Sequence, residues 1–149
     1  MFEENIRREI LMIDDTVECA KILLQKCRLQ TPDIYDTLAA GSLLQTYYNG
    51  LENIFKMINS NLDKTPLVGQ STHTELLMLM FQKTEKRNPV FAETLKDDLK
   101  NYLGFRHVFR HSYGYKIVWD KVKPLFENLE NNWKTVKEAF EIFLKNISI

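Results

Sequence analysis

Apolar side chains recur every three or four residues through nearly the whole chain, and few residues that break helices interrupt them. The 149 residues include only five glycines and four prolines. Steps that alternate between three and four residues place side chains on one face of an α-helix, whereas a half-buried strand needs alternation at every second residue. Since no segment alternates in that way, the pattern predicts an all-α fold.

The boundaries of the predicted helices are marked by caps, prolines and glycines. Thr31-Pro32 and Asn88-Pro89 each place a capping residue before a proline, which favours the start of a helix. Thr72-x-x-Glu75 has the form of a capping box, and Gly114 is placed to end a helix. The five predicted helices span roughly residues 3–28, 31–61, 72–81, 88–114 and 118–146. Four long helices and one extra short helix predict an antiparallel four-helix bundle.

Two glycines inside the second predicted helix need an explanation. Each costs about 1 kcal/mol relative to alanine in a helix. Gly41 and Gly50 either mark a short helix before the main one or allow a close helix contact.

Length and charge indicate one globular domain, residues 1–149, with an uneven distribution of charge. The formal net charge is zero, so the chain as a whole is not expected to attract nucleic acid nonspecifically. Residues 1–60 carry nine acids and six bases, whereas residues 96–123 carry three acids and seven bases. Two interpretations account equally well for this excess of bases: a solvent-exposed basic helix face, or a binding site for an anion.

The cysteines and the N-terminus predict a cytoplasmic protein with no membrane partner. Cys19 and Cys27 are eight residues apart, about 12 Å along one helix, too far for a disulfide. We expect both to be reduced thiols in or near the core. The N-terminus lacks the charged-then-apolar pattern of a signal peptide, and no apolar run reaches the roughly 20 residues of a membrane helix.

The segment from Arg106 to Tyr113 carries the chemically most informative residues. It contains two of the three histidines, His107 and His111, together with two arginines and a tyrosine. Histidine transfers protons near neutral pH, and arginine stabilises negative charge in a transition state. These groups are most of what cleavage of a phosphodiester requires without a metal or another cofactor.

Other chemistries lack their characteristic spacing. No glycine pair forms a phosphate-binding loop, no glutamate lies three residues before a histidine, and no cysteine pairs resemble a zinc finger. His107 and His111 lie at i and i+4, where they can bind a metal only if a third ligand comes from elsewhere. A metal-binding bundle therefore stays as an alternative, and no metal is predicted.

Arg106 lies on the apolar face of its predicted helix. A buried arginine is costly unless it is paired or opens into a polar cleft. Glu52, which also pairs with Lys56 at i+4, is one candidate partner. His111 lies roughly 140° from Arg106 around an unbroken helix, so both reach one phosphate only if the helix ends near His111 or two copies of the chain contribute.

The arrangement Arg106-x4-His111-x-Tyr113 matches the signature of the HEPN superfamily, and the chain resembles HepT-like ribonuclease toxins over nearly its full length. Tyr48-Asn49-Gly50-Leu51-Glu52-Asn53-Ile54, followed by Lys56, is similar to the family's second helix. Pro66-x-x-Gly69 and His73-x-x-Leu76-Leu77 are similar to its central loop and short helix. Thr72 is a departure, because relatives often carry tryptophan before this histidine.

The resemblance implies a homodimeric, metal-independent endoribonuclease toxin whose substrate is RNA rather than DNA. In that interpretation His111 is the general acid or base, and Arg106 stabilises the transition state. Arg110 and Lys116 hold the RNA backbone, and His107, Glu52 and Lys56 support the site. The resemblance also implies a minimal nucleotidyltransferase antitoxin that adenylylates Tyr113. The alternative is a non-catalytic HEPN module that presents a substrate or nucleotide to such a nucleotidyltransferase.

Overall fold

The computed structural model describes residues 1–147, and most of these residues lie in five α-helices. The helices are α1 (Phe2–Leu29), α2 (Ile34–Ile58), α3 (Thr72–Leu79), α4 (Lys96–His111) and α5 (Trp119–Ile147). No strand occurs among these residues, so the predicted all-α fold with four long helices and a short one is confirmed. The last two residues of the predicted domain, 148 and 149, lie outside the described part.

The long helices pack antiparallel around one apolar core. Along α1 and α5, Arg7 contacts Glu141 and Lys21 contacts Glu130, so residue numbers rise on one helix as they fall on the other. Between α2 and α4, the ring of Tyr47 packs on that of Tyr102. The apolar residues that recur every three or four positions along α5 are buried: Val122, Phe126, Leu129, Trp133, Val136, Phe140 and Phe143.

Both glycines of α2 lie at close helix contacts, which decides between the two explanations left open by the sequence. A Cβ atom at Gly50 would lie 2.7 Å from Cγ1 of Ile13 on α1. A Cβ atom at Gly41 would lie 2.5 Å from Cε1 of Phe109 on α4. Neither separation is compatible with normal packing, so glycine lets α2 approach its neighbours.

The first residues of α2 and α3 differ from those that the sequence predicts. The N-cap of α2 is Asp33, whose side chain accepts from the backbone N–H of Asp36 at 2.8 Å, and Pro32 lies before the helix. The N-cap of α3 is Ser71, and no side-chain capping bond forms there, so the box predicted at Thr72 is wrong. Asp33 and Asp36 form the reciprocal capping box instead.

The helix predicted to begin at Asn88-Pro89 begins later, at Lys96. Val90 and Phe91 are buried, and both of their N–H groups donate to the carbonyl of Met80, at 2.9 and 3.2 Å. These bonds hold the segment in an irregular path on the core, and a 3₁₀ turn, Glu93–Leu95, precedes α4. Tertiary contacts therefore override the local start signal.

The C-terminal end of α4 also differs from its prediction, because the helix ends at His111 and Ser112 is extended. Gly114 opens a 3₁₀ turn, Gly114–Lys116, and does not have the left-handed conformation of a helix-ending glycine. A Cβ atom at this position would lie 2.7 Å from Cδ2 of Leu38. The glycine therefore allows this turn to pack on α2.

A buried ion pair fixes the connection between α3 and α4. The Arg87 guanidinium donates from Nε and Nη2 to the two carboxylate oxygens of Asp63, at 2.9 and 2.6 Å. It also donates to the carbonyls of Leu79, Gln82 and Asn88. From the sequence alone, the polar residues 83–88 are expected only to connect two helices.

Both cysteines are free, as predicted, but their positions differ. Cys19 is exposed, so its predicted place in or near the core is wrong, whereas Cys27 is partly buried. The apolar seam of α1 passes through Val17 and Ala20, which leaves Cys19 on the outer face. None of the described helices has the length and apolar character needed to cross a membrane.

Candidate functional site

The C-terminal half of α4 presents its polar residues on two different faces. Arg106 is 8% exposed and faces α2, where its Nε donates to Oδ1 of Asn49. His107 and His111 are exposed, and their ring centres lie 4.5 Å apart. α4 ends at His111, which is one of the two conditions that the sequence set, but His111 is itself the last helical residue. Its direction therefore still differs from that of Arg106 by roughly 140°. One chain therefore does not direct these two side chains toward the same point.

Arg106 is a buried cation held by a neutral partner. Within residues 1–147, no carboxylate forms an ion pair with it, and the bond to the amide of Asn49 is its hydrogen bond to the protein. The carboxylate of Glu52, which the sequence offered as a partner for Arg106, is occupied by other groups. The structural ion pair considered from the sequence is therefore not formed with Glu52.

Glu52 is the centre of a separate polar cluster. It is 2% exposed, and both of its carboxylate oxygens lie 2.9 Å from Nδ1 of His73 on α3. The Lys56 ammonium lies 3.7 Å from the same carboxylate. His73 was not among the predicted site residues, although its position at the start of the short helix belonged to the resembling pattern. A histidine beside a buried carboxylate could not be inferred from spacing along the chain.

Tyr48 lies between these two groups of residues. Its hydroxyl is buried and makes no hydrogen bond within the described chain. Burial raises the pKa of Tyr48, the charge of Glu52 raises it further, and the charge of Arg106 opposes this rise. The Tyr48 hydroxyl is therefore a buried polar group beside the site whose hydrogen bond is not made within the described chain.

The segment after α4 exposes two tyrosines and a lysine. Tyr113 and Tyr115 are 69% and 62% exposed, and their rings stack with centres 5.7 Å apart and planes 22° apart. Nζ of Lys116 lies 5.7 Å from the centre of the Tyr113 ring. Arg110 and Lys116 are both exposed, so the predicted supporting cations are free to meet a ligand.

An apolar groove runs beside the exposed face of α4, next to His111. It has a volume of about 470 Å³, and its apolar lining is edged by three polar side chains. The lining residues are Gly104, Phe105, Val108, Ile117 and Val118, with Ser112, Lys116 and Lys121. Val108 is 50% exposed, and nothing lies within 4 Å of a Cβ atom placed at Gly104. Gly104, Val108 and His111 share one stripe of the helix, since they are four and three residues apart.

The pair His107 and His111 does not extend to a metal site in this part of the molecule. Among residues 1–147, no group of three or more histidine, cysteine, aspartate or glutamate side chains is placed to hold a metal ion. The third ligand that the metal-binding alternative requires is therefore not supplied by the described residues.

A family model described as HepT-like protein matches residues 39–147, which cover α3, α4, α5 and most of α2. The chain belongs to the HepT-like family. This membership indicates a HEPN-type toxin. Comparisons with curated proteins and with solved structures gave no significant match.

All predicted site residues of this HepT-like protein fall within the matched region. The structure places Glu52 and Lys56 together on α2, and it places His107 beside His111 on the exposed face of α4. Arg106 faces away from that pair, toward Asn49. The predicted residues thus form two clusters within one chain.

Proposed function

We propose that this HepT-like protein is a metal-independent endoribonuclease toxin of a toxin–antitoxin system, with its site at a cleft between two copies. The observation that carries the proposal is Arg106, a buried guanidinium without a carboxylate partner in the described chain. A buried cation is destabilising unless it is paired, and such a charge at a site is typical of function. The phosphodiester of RNA supplies the missing anion.

In this mechanism His111 transfers a proton and Arg106 stabilises charge. A base removes the proton of the ribose 2′-hydroxyl, whose oxygen attacks phosphorus. The bond to the 5′-oxygen breaks, and that oxygen takes a proton from an acid. His111 acts as the base or the acid, a role typically worth 10²–10⁴ in rate. Arg106 stabilises the added negative charge on the phosphorane-like transition state.

The remaining predicted residues hold the RNA or the site. Arg110 and Lys116 are exposed beside His111 and bind neighbouring phosphates. His107 packs on His111 and orients its ring. The pair of Glu52 and Lys56 supports the α2 wall of the site.

A second copy of the chain is part of the proposal because one copy separates Arg106 from His111. The groove along Gly104 and Val108 lies on the same stripe as His111, and it exposes apolar surface where another α4 can pack. Gly104 has no packing role within the described chain and weakens the helix by about 1 kcal/mol relative to alanine. A close approach by a second helix explains that glycine.

Tyr113 is the proposed acceptor of adenylyl groups from a minimal nucleotidyltransferase antitoxin. Its side chain is 69% exposed and lies just beyond the end of α4. An attached AMP would place a bulky anion at the cleft, where it excludes RNA and repels its phosphates.

The ribonuclease proposal is tested by cleavage of total RNA in EDTA. Unmodified wild-type protein, verified by mass, is compared with His111→Ala, Arg106→Met and His107→Ala. We expect cleavage by the wild type, reduced cleavage by His107→Ala, and losses of about 10² or more for the first two variants. Full activity of His111→Ala would refute the mechanism.

The dimer is tested by sedimentation of Val108→Arg beside Ile142→Arg. Both parent residues are exposed apolar side chains, on α4 and α5 respectively. We expect only Val108→Arg to yield monomers and to lose cleavage. If the wild type is a monomer, or if both variants stay dimeric, the shared cleft is wrong.

One observation favours a second candidate function, the non-catalytic HEPN module. Within a single chain His111 and Arg106 point in directions about 140° apart, so a monomer does not assemble the catalytic groups. A monomeric wild type that binds nucleotidyltransferase and leaves RNA intact would support this module.

A further inference from the structure

An exposed aromatic ring next to the site has no role in the mechanism above. Tyr115 lies in the 3₁₀ turn Gly114–Lys116 and is 62% exposed. Its ring contact within residues 1–147 is with Tyr113 on one side. A flat aromatic surface of this size therefore stays open to a ligand.

The turn that carries Tyr115 is firmly held. The N–H of Lys116 donates to the carbonyl of Tyr113 at 2.9 Å, and the N–H of Ile117 donates to that of Gly114 at 3.0 Å. The close approach of Gly114 to Leu38 packs the turn against α2. The backbone that carries the ring is thus preorganised, which lowers the entropy lost when a ligand stacks on it.

The charge around the ring favours an anionic ligand. Lys116 follows Tyr115 in the turn and lines one groove together with Lys121, and Arg110 is exposed near the end of α4. Lys123, by contrast, pairs with Glu127, and the one acid within residues 110–123 is Asp120. An aromatic ring among cations combines the two features by which proteins bind single-stranded nucleic acid, stacking of the base and attraction of the phosphate.

We infer that Tyr115 is a stacking platform for an unpaired base beside the scissile phosphate, and hence that the substrate is single-stranded RNA. The inference rests on the proposed ribonuclease function. A paired base in a helix does not offer its face to a side chain, whereas an unpaired base does. The ring is required and the hydroxyl is not, which separates Tyr115 from the acceptor role of Tyr113.

The test measures RNA binding by fluorescence anisotropy in a His111→Ala background, where the labelled oligonucleotide stays intact. Tyr115→Leu removes the aromatic ring, and Tyr115→Phe keeps the ring without the hydroxyl. We expect Tyr115→Leu to raise Kd for single-stranded RNA on the order of tenfold, and Tyr115→Phe to change it less than about twofold. Melting curves check that both variants fold.

Two further arms identify the ligand. Removing one base from the oligonucleotide should weaken its binding to the parent protein only when the abasic nucleotide occupies the position that stacks on Tyr115. For that oligonucleotide, Tyr115→Leu should cause no further loss of affinity. Duplex RNA should bind more weakly and respond to neither substitution. AMP is the probe for a free nucleotide, and an equal effect of Tyr115→Leu on AMP and on RNA would overturn the assignment to RNA.

The outcomes separate this inference from the proposed function. If wild-type protein cleaves RNA but Tyr115→Leu binds single strands like the parent, the stacking platform is wrong and the ribonuclease stands. If Tyr115→Leu weakens binding as expected while the wild type cleaves nothing, the platform stands and the catalytic role is wrong.

Discussion

The two buried arginines of this protein should respond differently to the same substitution, Arg87 mainly in stability and Arg106 mainly in RNA cleavage. Arg87 and Arg106 are 6% and 8% exposed, so their burial is nearly equal. Arg87 is bonded through two nitrogens to the carboxylate of Asp63, whereas Arg106 is bonded to the neutral amide of Asn49. Methionine keeps much of the aliphatic length of either side chain and removes only the charge and the donors.

The contacts set the expected magnitudes. Arg87→Met leaves the carboxylate of Asp63, whose side chain is 0% exposed, and three carbonyl acceptors without their donor. Breaking a buried ion pair costs about 3–5 kcal/mol. Arg106→Met removes one hydrogen bond, worth about 1 kcal/mol, and relieves the burial of an unpaired charge. We expect its free energy of unfolding to change by no more than about 1 kcal/mol.

Thermal unfolding and RNA cleavage together test this reasoning. At this chain length, 1 kcal/mol shifts Tm by roughly 2–4 °C, so Arg87→Met should lower Tm by roughly 10 °C and Arg106→Met by a few degrees at most. Cleavage should be lost in Arg106→Met and kept in Arg87→Met at temperatures where it is folded. An equal loss of stability in both variants would show that Arg106 is structural, and would remove the observation on which the proposed site rests.

Three further predictions concern the scaffold. Exposed Cys19 should be alkylated faster than Cys27, whose pKa is raised by burial, in a time course followed by peptide mass. The bond from Lys26 lowers the pKa of Asp36, so its stabilisation is present above about pH 5 and is lost as the pH falls through that lowered pKa. The gap in Tm between wild type and Asp36→Asn should therefore close in acid. Gly50→Ala should lower Tm because overpacking of about 1–3 kcal/mol outweighs the gain in helix propensity, and an unchanged or higher Tm would contradict the close contact.

The helices could be predicted because their apolar spacing is a local property that packing reinforces. Each long helix buries the face that its sequence indicates, as Ile6, Ile10 and Ile13 do on α1. The boundaries were less predictable, because they depend on distant partners. The bonds from the N–H groups of Val90 and Phe91 to Met80 keep these residues out of a helix, so α4 begins later than its local signal indicates. Gly114 is needed for the close contact with Leu38 and not to end a helix.

The division of charge within the site could not be predicted either, because spacing along a helix does not show which neighbour a side chain meets. The sequence placed Glu52 and Arg106 on the inner faces of their helices and made an ion pair between them one candidate. In the fold, α3 brings His73 to both oxygens of Glu52, and Asn49 takes the bond from Arg106. The buried anion is thereby satisfied within the chain, while the buried cation is not.

That imbalance links the site to a second copy of the chain. A protein that needed Arg106 only for stability would gain by pairing it with the carboxylate one turn from Asn49, and here that carboxylate is bonded elsewhere. In the proposed function, the Arg106 guanidinium binds the anion of the substrate. His111 lies about 140° away around α4. In the proposed dimer two copies of α4 contribute to one site, so loss of the dimer and loss of cleavage should coincide in Val108→Arg.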